Sequence, residues 1–299
     1  MNAAAPPIAW PRKTGEFQDA TLDSTRWNDF AFRDGDIVVA TFPKSGTTLT
    51  QQIVSQLVLD ADPSVFGQAI SPWIDCRMAP QALDEAAAQT HRRFLKTHLP
   101  LGSLVFSPRA KYLFIARDPR DVAWSLHNHL TGGTEAADAH VKAQAAEWGL
   151  PPVDPDVRRY YHDFLDGSQQ SPPFWPFIQG WWDARALPNV FALHYADLIA
   201  DMAGQVRRIA AFLDIPLDDV RLTIVLAHCT ISHMRKVAAD DPFLNMIFKR
   251  GAETFINKGT NGRWRDVLNR DEIDKADLIA ERELTPDCAA WLRNGGARA

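Results

Sequence analysis

The sequence predicts an α/β domain of three layers, P-loop-like, with a central parallel sheet flanked by helices. Short apolar runs at 36–42, 112–116 and 190–194 read as buried strands. Helical patterns follow them, and that alternation argues for a parallel sheet. The first junction, Thr41-Phe-Pro-Lys-Ser-Gly-Thr-Thr48, has the strand, tight loop and helix start of a phosphate cradle.

Each element can be justified in order. Residues 1–30 form an N-terminal extension, and Met1 to Lys13 lacks the apolar core of a signal peptide. The strand 36–42 leads into a helix over 47–60. Residues 61–91, rich in Pro, Gly and aromatic side chains, read as a long insertion on the substrate side. A short strand is expected at 93–96, a strand at 112–116 and a helix at 120–129. A second insertion of the same kind covers 130–175. The strand 190–194 precedes a helix over about 200–213. Residues 240–268 show no strand pattern but many Lys, Arg and Gly, and read as a binding loop. A terminal helix is expected at 285–293. The length of 299 residues suits a single domain over 1–299.

Composition narrows the function. The net charge of −5 argues against a general nucleic-acid binder, so an anionic ligand needs a local basic pocket. No apolar run approaches the ~18 residues of a membrane span. Cys76, Cys229 and Cys288 are scattered without a CxxC, which suits a reduced, cytoplasmic setting.

Four stretches carry chemistry. In the first, Lys44, Ser45, Gly46, Thr47 and Thr48 offer a cation, a close backbone approach and hydroxyls that can also cap the helix. This is not a Walker A loop, because Lys44 precedes Gly46 and no glycine opens the loop. The second, Lys96-Thr97-His98, sits where a strand ends, and His98 is either a general base or a structural histidine. In the third, Arg117 follows a strand, Asp118 is a candidate cap before Pro119, and Ser125 lies two turns into the helix. That arrangement is either a second anion site or a surface Arg paired with Asp121. The fourth, Lys258-Gly259-Thr260-Asn261-Gly262-Arg263-Trp264-Arg265, is a turn flanked by cations, hence an anion nest or a basic surface loop. His127 and His129 point to different faces of a helix. His228, Cys229 and His233 lack a fourth ligand at zinc spacing, so no metal is expected.

Together and in this order, the four stretches resemble the cytosolic sulfotransferases, in a bacterial-type member, from about Asp36 to Leu268. That family uses 3′-phosphoadenosine 5′-phosphosulfate (PAPS) as co-substrate and releases PAP. The resemblance implies a 5′-phosphosulfate loop at Lys44 to Thr48 and a catalytic base at His98. It implies leaving-group stabilisation by Lys44, supported by Lys96 and Thr47. It places the 3′-phosphate at Arg117, Ser125, Lys258 and Gly259, and Tyr195 near adenine. Three positions depart from the vertebrate pattern. Leu49 replaces an adenine-stacking tryptophan, so adenine packing is expected to be aliphatic or to use another ring. Asn257 replaces a 3′-phosphate arginine, with Lys249-Arg250 nearby. Ile231 replaces an adenine-contacting phenylalanine. An oligomer stays open, although the family's Lys-x-x-x-Thr-Val dimer motif is absent.

The partner implied is a small, hydrophobic acceptor carrying a hydroxyl or amine. Phe66, Ile70, Trp73, Phe174, Trp175 and Trp181, with Phe177 and Ile178, offer an apolar wall. The same spacing at 174–181 also fits a helix packed on the core. Two other readings remain at this stage: a P-loop nucleotide kinase, and a PAP-binding protein with weak or lost activity.

Overall fold

The computed structural model describes residues 8–296. In chain order the strands are β1 (Ile37–Thr41), β2 (Phe94–Thr97), β3 (Lys111–Ala116) and β4 (Val190–His194). The helices are α1 (Thr47–Val58), α2 (Ala82–Ala88), α3 (Pro119–Leu130), α4 (Glu135–Glu147), α5 (Val157–Leu165), α6 (Phe174–Asp183), α7 (Tyr195–Ala200), α8 (Met202–Phe212), α9 (Asp219–His228), α10 (Ile231–Val237), α11 (Pro242–Ile247), α12 (Ala252–Phe255), α13 (Arg270–Glu283) and α14 (Pro286–Asn294).

The four strands form one parallel sheet in the order β2-β1-β3-β4. β1 is buried along its whole length, which explains its unbroken apolar run. Alternate side chains feed two cores. Val38, Ala40, Tyr112 and Phe114 pack with residues of α3, α5, α6, α13 and α14. Ile37, Val39, Leu113 and Ile115 pack with residues of α1, α8 and α9. The result is the three-layer α/β architecture expected from the sequence.

At the N-terminal edge of the sheet, Arg93 clamps Asp36. Nε lies 2.8 Å from Oδ1 and Nη2 lies 2.5 Å from Oδ2, both residues being buried. At the opposite edge, the order in which strands are added reverses between β1 and β3, β2 lying on one side of β1 and β3 on the other. There β1 ends at the cradle, β2 at His98, β3 at Arg117 and β4 at Tyr195. The C-terminal edge of an open parallel sheet at such a switch point is where ligands bind.

The insertions differ from expectation. Residues 130–175 are not a long loop: α4 and α5 occupy much of the segment. Residues 61–91 contain α2, and 240–268 contain α11 and α12. α13, with its capping box of Asn269 and Glu272, had no counterpart in the sequence reading. No helix among the described residues is long and apolar enough to cross a membrane.

Candidate active site

The cradle is built by an unusual backbone. Lys44 has φ of 69° and Gly46 has φ of 114°, so two left-handed turns reverse the chain between β1 and α1. Gly46 itself is the N-cap of α1, with no side-chain cap, whereas Ser or Thr capping was expected. A glycine is required there for a second reason. A Cβ would lie 2.5 Å from Cδ2 of Tyr195. The Ser45 hydroxyl is buried and meets no hydrogen-bond partner among the described residues. Thr47 Oγ1 lies 2.6 Å from Thr41 Oγ1, and Thr48 Oγ1 donates to Gln68 Oε1 at 3.1 Å.

His98 follows β2 and is buried. Its Nδ1 lies 2.6 Å from the carbonyl oxygen of Thr41. A carbonyl only accepts, so Nδ1 carries the proton and Nε2 keeps a lone pair. Asp75 braces the turn. Its Oδ2 accepts the His98 N–H at 3.2 Å and Trp73 Nε1 at 2.9 Å, while Oδ1 accepts Trp27 Nε1 at 3.0 Å. Burial, then the charges of Lys96 and Lys44, hold the His98 pKa well below the usual imidazole value.

Three cations converge. Burial, then Lys96 and Arg117, push the Lys44 ammonium down to about 7. Burial brings Lys96 down to about 8. Lys96 Nζ lies 3.7 Å from the Trp73 ring centroid. Among the described residues, neither lysine forms an ion pair. Uncompensated buried positive charge is costly unless an anion arrives.

Arg117 ties the cradle to the C-terminal loop. It donates to Asn261 Oδ1 at 2.9 Å, the Lys44 carbonyl at 3.2 Å and the Thr260 carbonyl at 3.0 Å. Its guanidinium lies 4.5 Å from the Tyr195 ring centroid, and Tyr195 Oη donates to the Gly259 carbonyl at 3.0 Å. Asp121 does not pair with Arg117 through a hydrogen bond; its Oδ1 accepts the Gly262 N–H at 2.7 Å. Asp118 caps α3 by accepting the Arg120 N–H at 2.8 Å, as expected.

These groups border one cavity of about 850 Å³. Lys44, Gly46, Thr47, Thr48, Lys96, His98, Arg117, Ser125, Tyr195, Ile231, Asn257, Lys258 and Gly259 all line it, so the four sequence stretches meet in space. Leu49, Ile199, Met202, Ile231 and Met234 make one end aliphatic.

The aromatic wall is corrected. Of its eight proposed members, Trp73 lines the cavity, and Phe177 and Ile178 are fully buried. Phe174 and Trp181 are fully buried in the core, and Trp175 is 5% exposed there. Phe66 is buried in the second core, with Ile70 packed against it. The helix-on-core alternative won for 174–181, because α6 must cover the sheet beside Phe114. The apolar wall instead comes from Leu126 and Leu130 of α3, Val141 of α4, and Phe248 and Phe255. Lys249-Arg250 does not substitute for the missing cation: Arg250 pairs with Glu253 at 3.7 Å, and neither cation lines the cavity.

Sequence reasoning missed four contributors. His129 lines the cavity with Nδ1 3.3 Å from Lys44 Nζ. Arg263 also lines it, and its place in the fourth stretch was the available signal. Arg235 holds the C-terminal loop by donating to the Ile256 and Asn257 carbonyls at 2.8 and 3.1 Å. Asp75, the brace of His98, is remote in sequence and gave no signal. No three His, Cys, Asp or Glu side chains gather as a metal site among the described residues.

Comparison with known proteins bears on this geometry. The model of the sulfotransferase domain family matches residues 34–287. A protein of Mycobacterium bovis named glycolipid sulfotransferase is 30% identical over 308 residues, covering 93% of this chain and 94% of its own length. Human sulfotransferase 2B1 is 30% identical over 258 residues, covering 82% of this chain and 65% of that protein. In three dimensions the chain is similar to mouse sulfotransferase SULT7A1 complexed with PAP, with a TM-score of 0.70, 20% identity and coverage of 90% and 91%. With its family match spanning most of the chain and a 30% identical relative along nearly its full length, the protein belongs to the sulfotransferase family.

Proposed function

We propose that the cavity binds PAPS and a small apolar acceptor, and that the enzyme moves the sulfuryl group to the acceptor's hydroxyl or amine. The observation that carries this is the juxtaposition of His98, with Nε2 unprotonated, and two lysines that form no ion pair among the described residues. A nucleotide kinase would neutralise its phosphates with a metal; here the lysines do it.

The residues fit the co-substrate. The buried Ser45 hydroxyl lacks a protein partner among the described residues, Gly46 lets the loop turn tightly against Tyr195 at positive φ, and Lys44 and Arg117 bring positive charge to it. Lys44, Ser45, Gly46, Thr47 and Thr48 would hold the 5′-phosphosulfate. Arg117, Ser125, Lys258 and Gly259 would hold the 3′-phosphate, with Arg263 in place of the cation absent at Asn257. The aliphatic end, including Leu49 and Ile231, would pack adenine without the usual tryptophan. Tyr195 would act chiefly through the loops it joins. PAPS supplies the sulfuryl group and leaves as PAP.

His98 Nε2 takes the proton from the acceptor, whose freed lone pair forms the bond to sulfur. Lys44 donates to the bridging oxygen that keeps the electron pair of the broken S–O bond, and Lys96 supports it. Lysines and loop N–H groups do the neutralising, so no metal is required. The apolar wall of α3, α4 and Phe248 excludes water from this step. The name of the mycobacterial relatives and this wall both support an acceptor with a lipophilic part.

Radiolabelled PAPS with a panel of phenols, alcohols, amines and apolar-tailed glycosides tests the reading. Labelled sulfate ester or sulfamate should form with release of PAP. Tight PAP binding by calorimetry with no transfer to any acceptor would instead favour a binding protein.

A further inference from the structure

His129 stands in the last turn of α3, half-buried, with its ring 5.0 Å from that of Phe248 and 6.0 Å from that of Phe255. Nothing in the proposed chemistry uses it. Yet its Nδ1 lies 3.3 Å from Lys44 Nζ, and Lys44 Nζ lies 5.0 Å from the Phe255 ring centroid. The other charged or titratable groups facing this pair are Lys96 from β2, His98 beyond β2 and Arg117 beyond β3. Lys96 and Arg117 oppose a proton on Lys44, while His98 is neutral. Among the described residues, the imidazole of His129 is the one side chain that hydrogen-bonds the Lys44 ammonium.

We propose that His129 is a positioning residue: its Nδ1 lone pair accepts a hydrogen bond from Lys44, and this keeps Lys44 protonated and aimed for the leaving oxygen before PAPS binds. An N–H from an ammonium to a neutral ring nitrogen is charge-assisted, and so favours the charged lysine. The same contact fixes the His129 tautomer, with the proton on Nε2. Burial and the neighbouring lysines keep His129 itself neutral at ordinary pH. The reverse assignment, in which His129 Nδ1–H donates to a neutral Lys44 amine, would have the opposite effect on the lysine.

This inference rests on the proposed role of Lys44, so its test is chosen to read the lysine without turnover. Protein labelled with ¹³C at lysine Cε is titrated, and the Lys44 signal is assigned by its loss in Lys44→Arg. The wild-type midpoint should lie near 7. In His129→Phe, which retains a ring between Phe248 and Phe255, the midpoint should fall by about one pH unit. In His129→Asn, whose Oδ1 can stand near the Nδ1 position, it should return most of the way. If His129→Phe does not fold, His129→Ala carries the same expectation. A midpoint that stays or rises in the Phe or Ala variant, or fails to recover in Asn, overturns the proposal. In parallel, the alkaline limb of kcat/KM for PAPS should move down with the midpoint in His129→Phe, while kcat at saturating PAPS changes less, because the bound anion then holds the proton. Wild-type protein that fails to transfer sulfate would sink the functional reading, yet leave the titration interpretable.

Discussion

Lys44 and His98 have their pKa values lowered by the same surroundings, and the consequences differ in sign. As the proposed base, His98 must be neutral, and its lowered pKa keeps it so at pH 6.5 and below. Lys44, in the proposed role, must be charged to donate, and its charge fades above about 7. The kcat/KM for PAPS should therefore fall on the alkaline side near pH 7 and hold on the acid side to below 6.5; steady-state rates across pH check both limbs. His98→Ala should lower kcat by about 10²- to 10⁴-fold while PAP affinity, by calorimetry, changes little. Stability follows from the same groups. Lysines in the unfolded chain stay protonated to about 10.5, against about 7 and 8 in the fold for Lys44 and Lys96. Between these values the unfolded chain binds more protons, so these lysines make stability rise with pH. Thermal melts of the ligand-free protein should show a smaller rise from pH 7 to pH 10 in Lys44→Met than in wild type. Gly46→Ala places a Cβ against the Tyr195 ring at positive φ, and should cost about 1–3 kcal/mol by urea titration along with most PAP affinity.

Among the elements, α3 contributes most to the site. Its first turn carries Asp121 to the Gly262 N–H, its middle presents Ser125, and its last turn presents His129. The facing loop at 256–262 has no regular structure and depends on side chains for its shape. Arg235 of α10 holds two of its carbonyls, and Arg117 and Tyr195 hold Thr260, Asn261 and Gly259. Arg235→Met should weaken PAP binding by about tenfold with little change in kcat, since in the proposed binding mode the loop holds the 3′-phosphate rather than the transferred group; calorimetry and saturation kinetics separate the two. Elements of this kind explain which parts of the site were legible. The cradle, His98, Arg117 and Lys258 announce themselves by residue type at a strand end or turn. The acceptor wall does not. Phe174, Phe177 and Trp181 are apolar at helical spacing whether they face a core or a ligand, and periodicity cannot distinguish those faces. α4 was hidden for a related reason: its alanines and mixed polar residues give no apolar stripe, and Gly and Pro on both sides suggested a loop.

Across the whole molecule, the four strands could be read to within a residue or two at each end because parallel strands buried on both faces are short, apolar and bounded by turns. Their order could not be read. It depends on which neighbours each face meets, and it is the order β2-β1-β3-β4 that sets His98 and Arg117 on opposite sides of the cradle. The sheet is tied at its other edge by Asp36 and Arg93. Arg93→Met would leave Asp36 buried without its partner, and should destabilise the fold by about 3–5 kcal/mol in urea while leaving the site chemistry intact. Arg117 then has a consequence best stated by counting. A guanidinium carries five N–H donors. Three bonds run from its Nε, Nη1 and Nη2 to Asn261, Lys44 and Thr260. Two donors are left over, the number that a pair of phosphate oxygens accepts side by side. A lysine, with three donors on one atom, could hold the loops or the anion but not both at once. Under the proposed binding mode, one residue acts as hinge pin and receptor together, so that two loops made by distant parts of the chain are registered against the same ligand.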